Sequence, residues 1–320
     1  MRPTRILSTA FTVHSSFLEI ASKYDGFILD QYGVLHNGKE PLPGAMETLQ
    51  HLKDKKMIIL SNTSSPAKSA LQKLRKLGFD PDWFDAGAVT SGEEASAFIL
   101  KTYGSKSEAK KAIWLTWKGA DFTPPPLDFM QQCGNIEIAS SVEEADFVIA
   151  HGAEIWYQGA EERTSLGQFM NEGSFDVVGP ILKACHERNL PLVCANPDFI
   201  VRLADSSIGH MPGKMAQYYE NLGGGVTCFG KPFPEHFEAC LRKLGLDKSK
   251  VAHVGDSLHH DIGGANAAGI DSVFVTSGIH SDDLKTSYGV MPSRADLESL
   301  FETENVTPTH VVAAFSNAPN

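Results

Sequence analysis

Four polar side chains stand where short apolar runs of the sequence end, and together they could bind a cation and an anion. They are Asp30, Ser61, Lys231 and Asp256. Carboxylates are the hard oxygen ligands that Mg²⁺ prefers, whereas a lysine and a hydroxyl can hold an anionic group. Taken singly, each residue is most simply a capping or surface residue. Their shared position at the ends of apolar runs predicts a single site.

The apolar runs that precede these residues have the length and composition of buried parallel strands. They alternate along the chain with segments of helical spacing, and this alternation predicts a doubly wound parallel sheet, a Rossmann-like α/β fold. Ligands bind such a sheet at the carboxyl ends of its strands, so the four side chains are expected to converge. The predicted strands are 26–30, 57–60, 251–254 and 271–275, and the predicted helices are 43–52, 66–78, 234–244 and 261–268.

The middle of the chain interrupts this pattern with further predicted strands and helices. A length of 320 residues is also long for one compact core. We therefore predict two domains. Residues 1–102 and 226–320 would form a discontinuous Rossmann-like core, and residues 103–225 an inserted α/β cap domain.

Composition narrows the partners and the compartment. The chain has 28 Lys and Arg residues against 39 Asp and Glu, a formal net charge of −11, so no nucleic-acid partner is expected. No apolar run approaches the ~18 residues of a membrane span, so no membrane partner is expected either. The five cysteines are odd in number and form no C-x-x-C pair, which favours reduced thiols and a cytoplasmic protein. Residues 1–16 faintly resemble an organelle transit peptide, which leaves targeting open.

Four motifs in order along the chain resemble those of the haloacid dehalogenase superfamily. Each is weak alone, but the set covers most of the chain. The motifs are Asp30-Gln-Tyr-Gly-Val-Leu-His-Asn-Gly, Leu60-Ser61-Asn62, Gly230-Lys231-Pro232 and Gly255-Asp256-Ser-Leu-His-His-Asp261. In addition, Asn196-Pro-Asp198 resembles a segment of the caps of subclass IIA. This subclass carries a large α/β cap between its second and third motifs.

The resemblance implies an Mg²⁺-dependent phosphatase of a small phosphorylated metabolite. Asp30 would be the nucleophile and would form an aspartyl-phosphate. The implied metal ligands are the carboxylates of Asp30 and Asp256 and the backbone carbonyl of Tyr32. Asp261 would reach the ion less directly or orient a water.

The same resemblance implies which residues hold the phosphoryl group and the rest of the substrate. Ser61 would hold the phosphoryl group, and Lys231 would offset its negative charge. The residues implied in substrate binding are Asn62, Asn196 and Asp198.

The large caps of this subclass can dimerise, which makes a homodimer an expectation.

The position two residues after Asp30 departs from the phosphatases of this superfamily. They usually carry a second aspartate there as general acid and base, whereas this chain has Tyr32. A phenol with a pKa near ~10 donates a proton but is a weak base at neutral pH. Three interpretations stay open: a phosphatase in which another group takes that role, a metal-free 2-haloacid dehalogenase, and a weakened enzyme kept for binding or regulation. Asp256 and Asp261 favour the phosphatase, because they suit a cation and would oppose an anionic substrate without one.

Four histidines lie close to these motifs, namely His36, His253, His259 and His260. Polar loops commonly carry solvated histidines. We therefore expect these four to be exposed and assign them no role in the site.

Overall fold

Residues 10–105, 107–119, 127–159, 163–203, 205 and 207–317 are described by a computed structural model of the chain. The first nine residues of the segment that resembles a transit peptide lie outside this range. Among the described residues, no helix is both long and apolar enough to span a bilayer. The strands are β1 Thr12–Val13, β2 Gly26–Leu29, β3 Lys56–Ser61, β4 Ala88–Thr90, β5 Lys110–Thr116, β6 Ile136–Ile138, β7 Phe147–Ala150, β8 Ile155–Tyr157, β9 Arg163–Ser165, β10 Leu192–Cys194, β11 Ile200–Arg202, β12 Ile208–His210, β13 Val226–Cys228, β14 Val251–Gly255, β15 Asp271–Val275 and β16 His310–Val312. The helices are α1 Leu18–Ala21, α2 Ala45–His51, α3 Ala67–Lys76, α4 Ser91–Ile99, α5 Leu127–Gln132, α6 Gly167–Glu172, α7 Val178–Glu187, α8 Pro212–Asn221, α9 Pro234–Leu244, α10 Gly263–Ala268 and α11 Arg294–Glu304.

The chain divides into two compact units. The first comprises the described residues up to Ser61, the segment Leu71–Val89 and the residues from Lys231 onward. The second comprises Asn62–Ala70 and Thr90–Gly230. Each unit is built on its own sheet, which is packed with its own clusters of buried apolar side chains.

The sheet of the first unit has the strand order β1-β16-β15-β14-β2-β3-β4. Its strands pair in parallel from β1 across to β3. From β2 the chain continues into β3 and β4 on one side, whereas β14, β15 and β16 lie on the other side. The boundary between β2 and β14 is therefore the topological switch point, where doubly wound sheets bind their ligands.

Local sequence explains the elements beside the switch point. Both β2 and β14 are buried along their whole length, as expected for parallel strands covered on both faces. Helix α9 begins with Pro234 in its first turn and ends at Gly245, whose φ of 64° favours glycine. Its buried Phe237 packs in one cluster with Ile28 of β2. The helix that follows Lys231 thus anchors the strand that leads to the first motif.

The second unit is a separate α/β layer structure. Its sheet has the strand order β13-β10-β7-β5-β8-β9, and β6 also pairs with β5. Strands β13, β10, β7 and β5 are parallel, whereas β8 and β9 continue the sheet in antiparallel fashion. One cluster joins Leu182 of α7 and Tyr219 of α8 to this sheet, and another joins Ile99 of α4 and Phe129 of α5 to it.

The doubly wound sheet with an α/β unit inserted in its sequence confirms the predicted fold class. Three segments of the predicted core belong to the second unit, namely Asn62–Ala70, residues 90–102 and residues 226–230. In the last of these, strand β13 pairs with β10 of the second sheet. Helix α4, which was also assigned to the core, packs Ala95 and Ile99 with Trp114 of β5. Strands β1, β4 and β16 were not predicted, because runs of two or three residues show no readable period.

Candidate metal centre and catalytic site

Asp30 and Asp256 lie at the switch point of the first sheet. Asp30 directly follows β2 and Asp256 directly follows β14, and these two strands pair in register with Leu29 beside Val254. The backbone N–H of Asp30 donates to the carbonyl of Val254 over 2.9 Å, which continues the ladder into the motif. Both residues are 7% exposed. The predicted convergence of these two distant acids is therefore what the fold produces.

Asp261 joins the two acids from the helical turn Leu258–Ile262. Ligand oxygens of Asp30, Asp256 and Asp261 all lie within 4.8 Å of one another. The Asp261 side chain is fully buried and accepts a 2.9 Å hydrogen bond at Oδ2 from the backbone N–H of Ser257. Three carboxylates thus face one point at the edge of the sheet.

Lys231 supplies the positive charge of this cluster. Its Nζ lies 2.8 Å from Asp30 Oδ1 and 2.7 Å from Asp261 Oδ1, and the residue is 2% exposed. A buried ammonium bound by two carboxylates is fixed in position, unlike the solvated lysine of an ordinary surface. Asp261 therefore holds Lys231 against Asp30.

His253 is a member of the cluster that sequence reasoning missed. It lies on β14, and its Nε2 is 2.8 Å from Asp261 Oδ1. Since an ionised carboxylate only accepts hydrogen bonds, this nitrogen is the donor. The side chain is fully buried, so it braces Asp261 from behind. A polar residue inside an apolar strand run was the available signal, because a buried imidazole requires a partner.

The two acids of the fourth motif differ in charge balance. Burial and the charges of Asp30 and Asp261 raise the pKa of Asp256 well above its ordinary value. Desolvation also opposes the ionisation of Asp261, but the Lys231 ammonium and the His253 hydrogen bond outweigh it and hold the pKa of Asp261 below its ordinary value. Asp261 is thus a stable anion, whereas a charge on Asp256 requires a further cation nearby.

This donor set fits a divalent cation of the Mg²⁺ type. If all groups ionise, three carboxylates against one ammonium leave two negative charges in a buried cluster. Such uncompensated buried charge is costly, and a doubly charged ion of matching chemistry would offset it. Carboxylate oxygens are the ligands that Mg²⁺ prefers. Asp30 and Asp256 would hold the ion, with the carbonyl of Tyr32 as the third ligand from this chain.

Two glycines bring the backbone against Asp256. A Cβ on Gly33 or on Gly278 would overlap Asp256 Oδ2. The backbone N–H of Ile279 donates to the same oxygen over 2.8 Å. Gly33 also has a φ of 82°, which disfavours residues with a side chain. Close backbone approach from the first motif and from the segment after β15 therefore fixes Oδ2 of Asp256.

Ser61 and Tyr32 flank these acids. Ser61 is the last residue of β3, which pairs in parallel with β2, and it is buried. The ring of Tyr32 lies over Gly38, whose Cβ would be 2.9 Å from Tyr32 Cε2, and its centroid is 5.6 Å from that of His36. The phenol thus helps to shape the loop that follows the nucleophile candidate.

The three predicted substrate-binding residues belong to the second unit, where they are hydrogen bonded to one another. Asn62 Nδ2 donates to Asp198 Oδ1 over 2.8 Å, and the backbone N–H of Asp198 donates to Asn196 Oδ1 over 3.1 Å. The second contact makes Asn196-Pro-Asp198 a turn closed by the Asn196 side chain. Both asparagines are buried, and their part in substrate binding stays a prediction.

The expectation that the four neighbouring histidines are solvated is wrong for three of them. His36, His253 and His260 are buried, and only His259 of the four is exposed. Because desolvation penalises the imidazolium, burial lowers the pKa of His36 to about 4. His36 is therefore a neutral part of its packed loop at neutral pH.

Three family models match the chain. A haloacid dehalogenase-like hydrolase model matches residues 95–269, which is more than half of the 320 residues. Another haloacid dehalogenase-like hydrolase model matches residues 27–121, and a HAD-hydrolase-like model matches residues 228–318. Together they extend over both units.

Known proteins with a similar sequence or fold agree with these models. A 4-nitrophenylphosphatase of Schizosaccharomyces pombe is 25% identical over 287 residues, which cover 83% of this chain and 88% of the relative. A haloacid dehalogenase-like family hydrolase from Brucella suis has a TM-score of 0.70 at 23% identity, covering 93% of this chain and 98% of its own. A glycerol phosphate phosphatase from Mycobacterium tuberculosis in complex with magnesium has a TM-score of 0.56 at 18% identity, covering 87% of this chain and 78% of its own.

These likenesses bear on the family that the four motifs predict. The two solved structures share the doubly wound fold, although their identities are too low to carry more than that. The hydrolase model, by contrast, extends over more than half of the chain. The predicted membership is thereby confirmed, and this chain belongs to the haloacid dehalogenase-like hydrolases.

Proposed function

We propose that the protein is an Mg²⁺-dependent phosphatase of small phosphate esters. The observation that carries this proposal is the meeting of three buried carboxylates and a buried lysine at the switch point of the first sheet. A 2-haloacid dehalogenase needs a nucleophilic carboxylate but no cation, so two further acids would oppose its anionic substrate. The names of a 4-nitrophenylphosphatase and a glycerol phosphate phosphatase among the similar proteins support the same reaction.

Asp30 is the nucleophile in this proposal. A carboxylate oxygen of Asp30 attacks the phosphorus, and a new P–O bond forms while the ester P–O bond breaks. The electron pair of the broken bond goes to the leaving oxygen. Water then attacks the phosphorus of the aspartyl-phosphate, the bond to Asp30 breaks, and inorganic phosphate leaves.

The remaining groups hold charge and position. Mg²⁺, when bound, supplies positive charge that offsets the repulsion between an anionic ester and the acids around it. Lys231 is held by Asp261 where its ammonium can stabilise both the Asp30 carboxylate and the transferring phosphoryl group. Ser61, at the end of the neighbouring strand, donates its hydroxyl hydrogen to a phosphoryl oxygen.

Tyr32 occupies the position from which a second aspartate would protonate the leaving group. Its phenol can donate a proton, but at neutral pH it is a poor base for the attacking water. Esters whose leaving oxygen needs little protonation, such as aryl phosphates, are therefore the favoured substrates. Unactivated alkyl phosphates are expected to react more slowly.

The second unit is the proposed cap. Asn62, Asn196 and Asp198 form a hydrogen-bonded set there, and we assign them to contacts with the organic part of the substrate. A homodimer formed through this unit and a cytoplasmic location stay predictions.

A metal-switched substrate panel tests the proposal. The protein is assayed for phosphate release from aryl and alkyl phosphates with Mg²⁺ and again with a chelator, and for halide release from a 2-haloacid under both conditions. We expect phosphate release that requires Mg²⁺ and is abolished by Asp30→Asn, because an amide is not a nucleophile. Asp271→Asn is the matched control, since Asp271 starts β15 and accepts a hydrogen bond from Tyr24. Metal-independent halide release, or phosphate release that survives Asp30→Asn, would overturn the assignment.

A further inference from the structure

Two cysteines of the second unit face each other on neighbouring strands. Cys194 ends β10 and Cys228 ends β13, and the parallel register places these two residues directly opposite one another. Both side chains lie on the same face of the sheet, in one cluster with Leu182 and Met215. Neighbouring strands are about 4.8 Å apart, which is within the Cα separation that a disulfide can bridge.

The two thiols lie opposite one another but differ in environment. Cys194 is fully buried, whereas Cys228 is half-buried on the edge strand of the sheet. Cys228 is therefore the sulfur that a small oxidant reaches first.

Their surroundings also make the two sulfurs chemically unequal. The interaction with Cys194 lowers the pKa of Cys228 despite desolvation and the nearby charge of Glu220. The interaction with Cys228, together with desolvation, raises the pKa of Cys194. A lowered pKa favours the thiolate, which is the form that reacts with peroxides. The greater exposure and the lowered pKa of Cys228 make it the nucleophilic thiol, and the facing Cys194 can resolve its oxidation product.

We propose that Cys194 and Cys228 are an oxidation site at which hydrogen peroxide forms a reversible disulfide. In the first step the Cys228 thiol loses its proton and the thiolate attacks the peroxide; an S–O bond forms, the O–O bond breaks, and the departing hydroxide takes up that proton as water. In the second step the Cys194 sulfur attacks Cys228 sulfur and loses its proton, the S–S bond forms, and the S–O bond breaks. The departing hydroxide takes up the proton as water, so two thiols and one peroxide become one disulfide and two waters.

The other cysteines lack this arrangement. Burial raises the pKa values of Cys133 and Cys185 to about 12, which leaves them as unreactive thiols. Cys133 Sγ donates to the carbonyl of Phe129 within α5, and Cys240 is fully buried in the core of the first unit. Oxidation is therefore expected to be selective for the facing pair.

The pair lies next to a predicted substrate-binding segment. Cys194 Sγ is 3.2 Å from the carbonyl oxygen of Asn196, and this contact is lost when the sulfur joins Cys228. The turn that carries Asn196 and Asp198 begins two residues after Cys194. A change of turnover on oxidation follows from this placement and rests on the proposed function, whereas disulfide formation itself does not.

Peptide mapping of the full-length protein tests the proposal. Reduced protein is treated with hydrogen peroxide, remaining thiols are blocked with N-ethylmaleimide, and peptides are analysed by mass spectrometry without reduction. We expect one cross-linked species that joins the Cys194 and Cys228 peptides, is lighter by two hydrogens, and disappears on treatment with dithiothreitol. In Cys194→Ser, dimedone should trap a sulfenic acid on Cys228.

A matched control and a second measurement keep the test decisive. Cys133→Ser should leave the cross-link intact. If a variant of the pair fails to fold, differential alkylation of the wild-type protein answers the same question, because Cys228 should be the first thiol to be blocked. Cys194 and Cys228 both remaining free, or Cys228 joining Cys185 instead, would overturn the proposal. Phosphate release measured on the reduced protein tests the proposed function separately.

Discussion

The two sheets of this protein place different chemistry at the carboxyl ends of their parallel strands. The first sheet carries Asp30 and Asp256, whose carboxyl groups meet that of Asp261, and Lys231 binds Asp30 and Asp261. The second carries Thr116 and His151 at the ends of β5 and β7, joined by a 2.9 Å hydrogen bond between Oγ1 and Nδ1. Desolvation lowers the pKa of His151 to about 3, so this imidazole is neutral.

The difference shows what buried polar side chains at strand ends require. A neutral polar group needs a hydrogen-bond partner but no counter-charge, and burying the Thr116–His151 pair costs less than burying an unpaired charge. Buried carboxylates require a counter-charge, and one ammonium, that of Lys231, does not balance all three. An arrangement of this kind is poor for stability and useful for binding a cation and an anionic ester together.

Removing the positive charge from the acidic cluster of the first sheet is expected to have the largest effect on activity and stability. Lys231→Met leaves Asp30 and Asp261 without their shared partner, so we expect turnover to fall by more than about 10³-fold and stability to fall by about 3–5 kcal/mol. Phosphate release and denaturant unfolding measure the two losses. Lys243→Met is the control, because Lys243 donates to the carbonyl of Ala88 and has no carboxylate partner among its described contacts. Equal losses in both variants would show that Lys231 is only a packing residue.

Removing one acid from the same cluster is expected to change stability and activity in opposite directions. The pKa of Asp256 is raised in the folded protein, so the folded state binds this proton more tightly than the unfolded chain does. Stability of the metal-free protein therefore falls as pH rises from the ordinary aspartate range through the raised pKa. Asp256→Asn should remove that loss and stabilise the metal-free protein near pH 7 by on the order of 1 kcal/mol, while turnover falls by about 10²-fold or more.

Thermal melts of the metal-free protein at pH 5 and pH 8 check the sign. The wild-type protein should be less stable at pH 8 than Asp256→Asn, and the gap should narrow at pH 5. A variant that is less stable than wild type at both values would contradict the charge-repulsion account.

Adding a carboxylate two residues after Asp30 tests the acidic cluster by supplying a group instead of removing one. Tyr32→Asp supplies the base that the phenol lacks, so hydrolysis of unactivated alkyl phosphates should rise by at least about tenfold. Aryl phosphates, whose leaving oxygen needs little protonation, should gain less. An equal response of both ester classes would mean that proton transfer does not limit turnover.

The smallest effect on activity is expected at the neutral Thr116–His151 pair of the second sheet. His151→Gln disturbs the hydrogen bond with Thr116 in a fully buried setting, which should cost about 1–2 kcal/mol of stability. Turnover of the folded fraction should be unchanged, because His151 is neutral and takes no part in the proposed chemistry. Denaturant unfolding and phosphate release measured on one sample compare the two quantities. A large loss of turnover at unchanged stability would contradict the distinction between the acidic cluster and the neutral pair.

Much of the first unit could be predicted because its signals are local and strong. The helix Pro234–Leu244 and the strand Asp271–Val275 have the predicted bounds, since a proline, a glycine and a continuous apolar run mark them. Asp30 and Asp256 were predicted to meet because each directly follows a strand of one parallel sheet.

What the sequence did not reveal depends on tertiary contacts. Strand β13 has the same local pattern as a core strand, and only its pairing with β10 assigns it to the second sheet. His253 looks like an isolated polar residue until the fold brings Asp261 against it. The opposition of Cys194 and Cys228 likewise depends on strand register, which spacing along the chain does not encode.

The central claim is that Asp30 and Asp256 share a divalent cation, and titration of Mg²⁺ into the metal-free protein tests it most directly. The melting temperature of the wild-type protein should rise with Mg²⁺ and saturate as one site fills. The double variant Asp30→Asn with Asp256→Asn should start from a folded state and show no such rise. The same Mg²⁺-dependent rise in both proteins, or no rise in the wild-type protein, would contradict the claim.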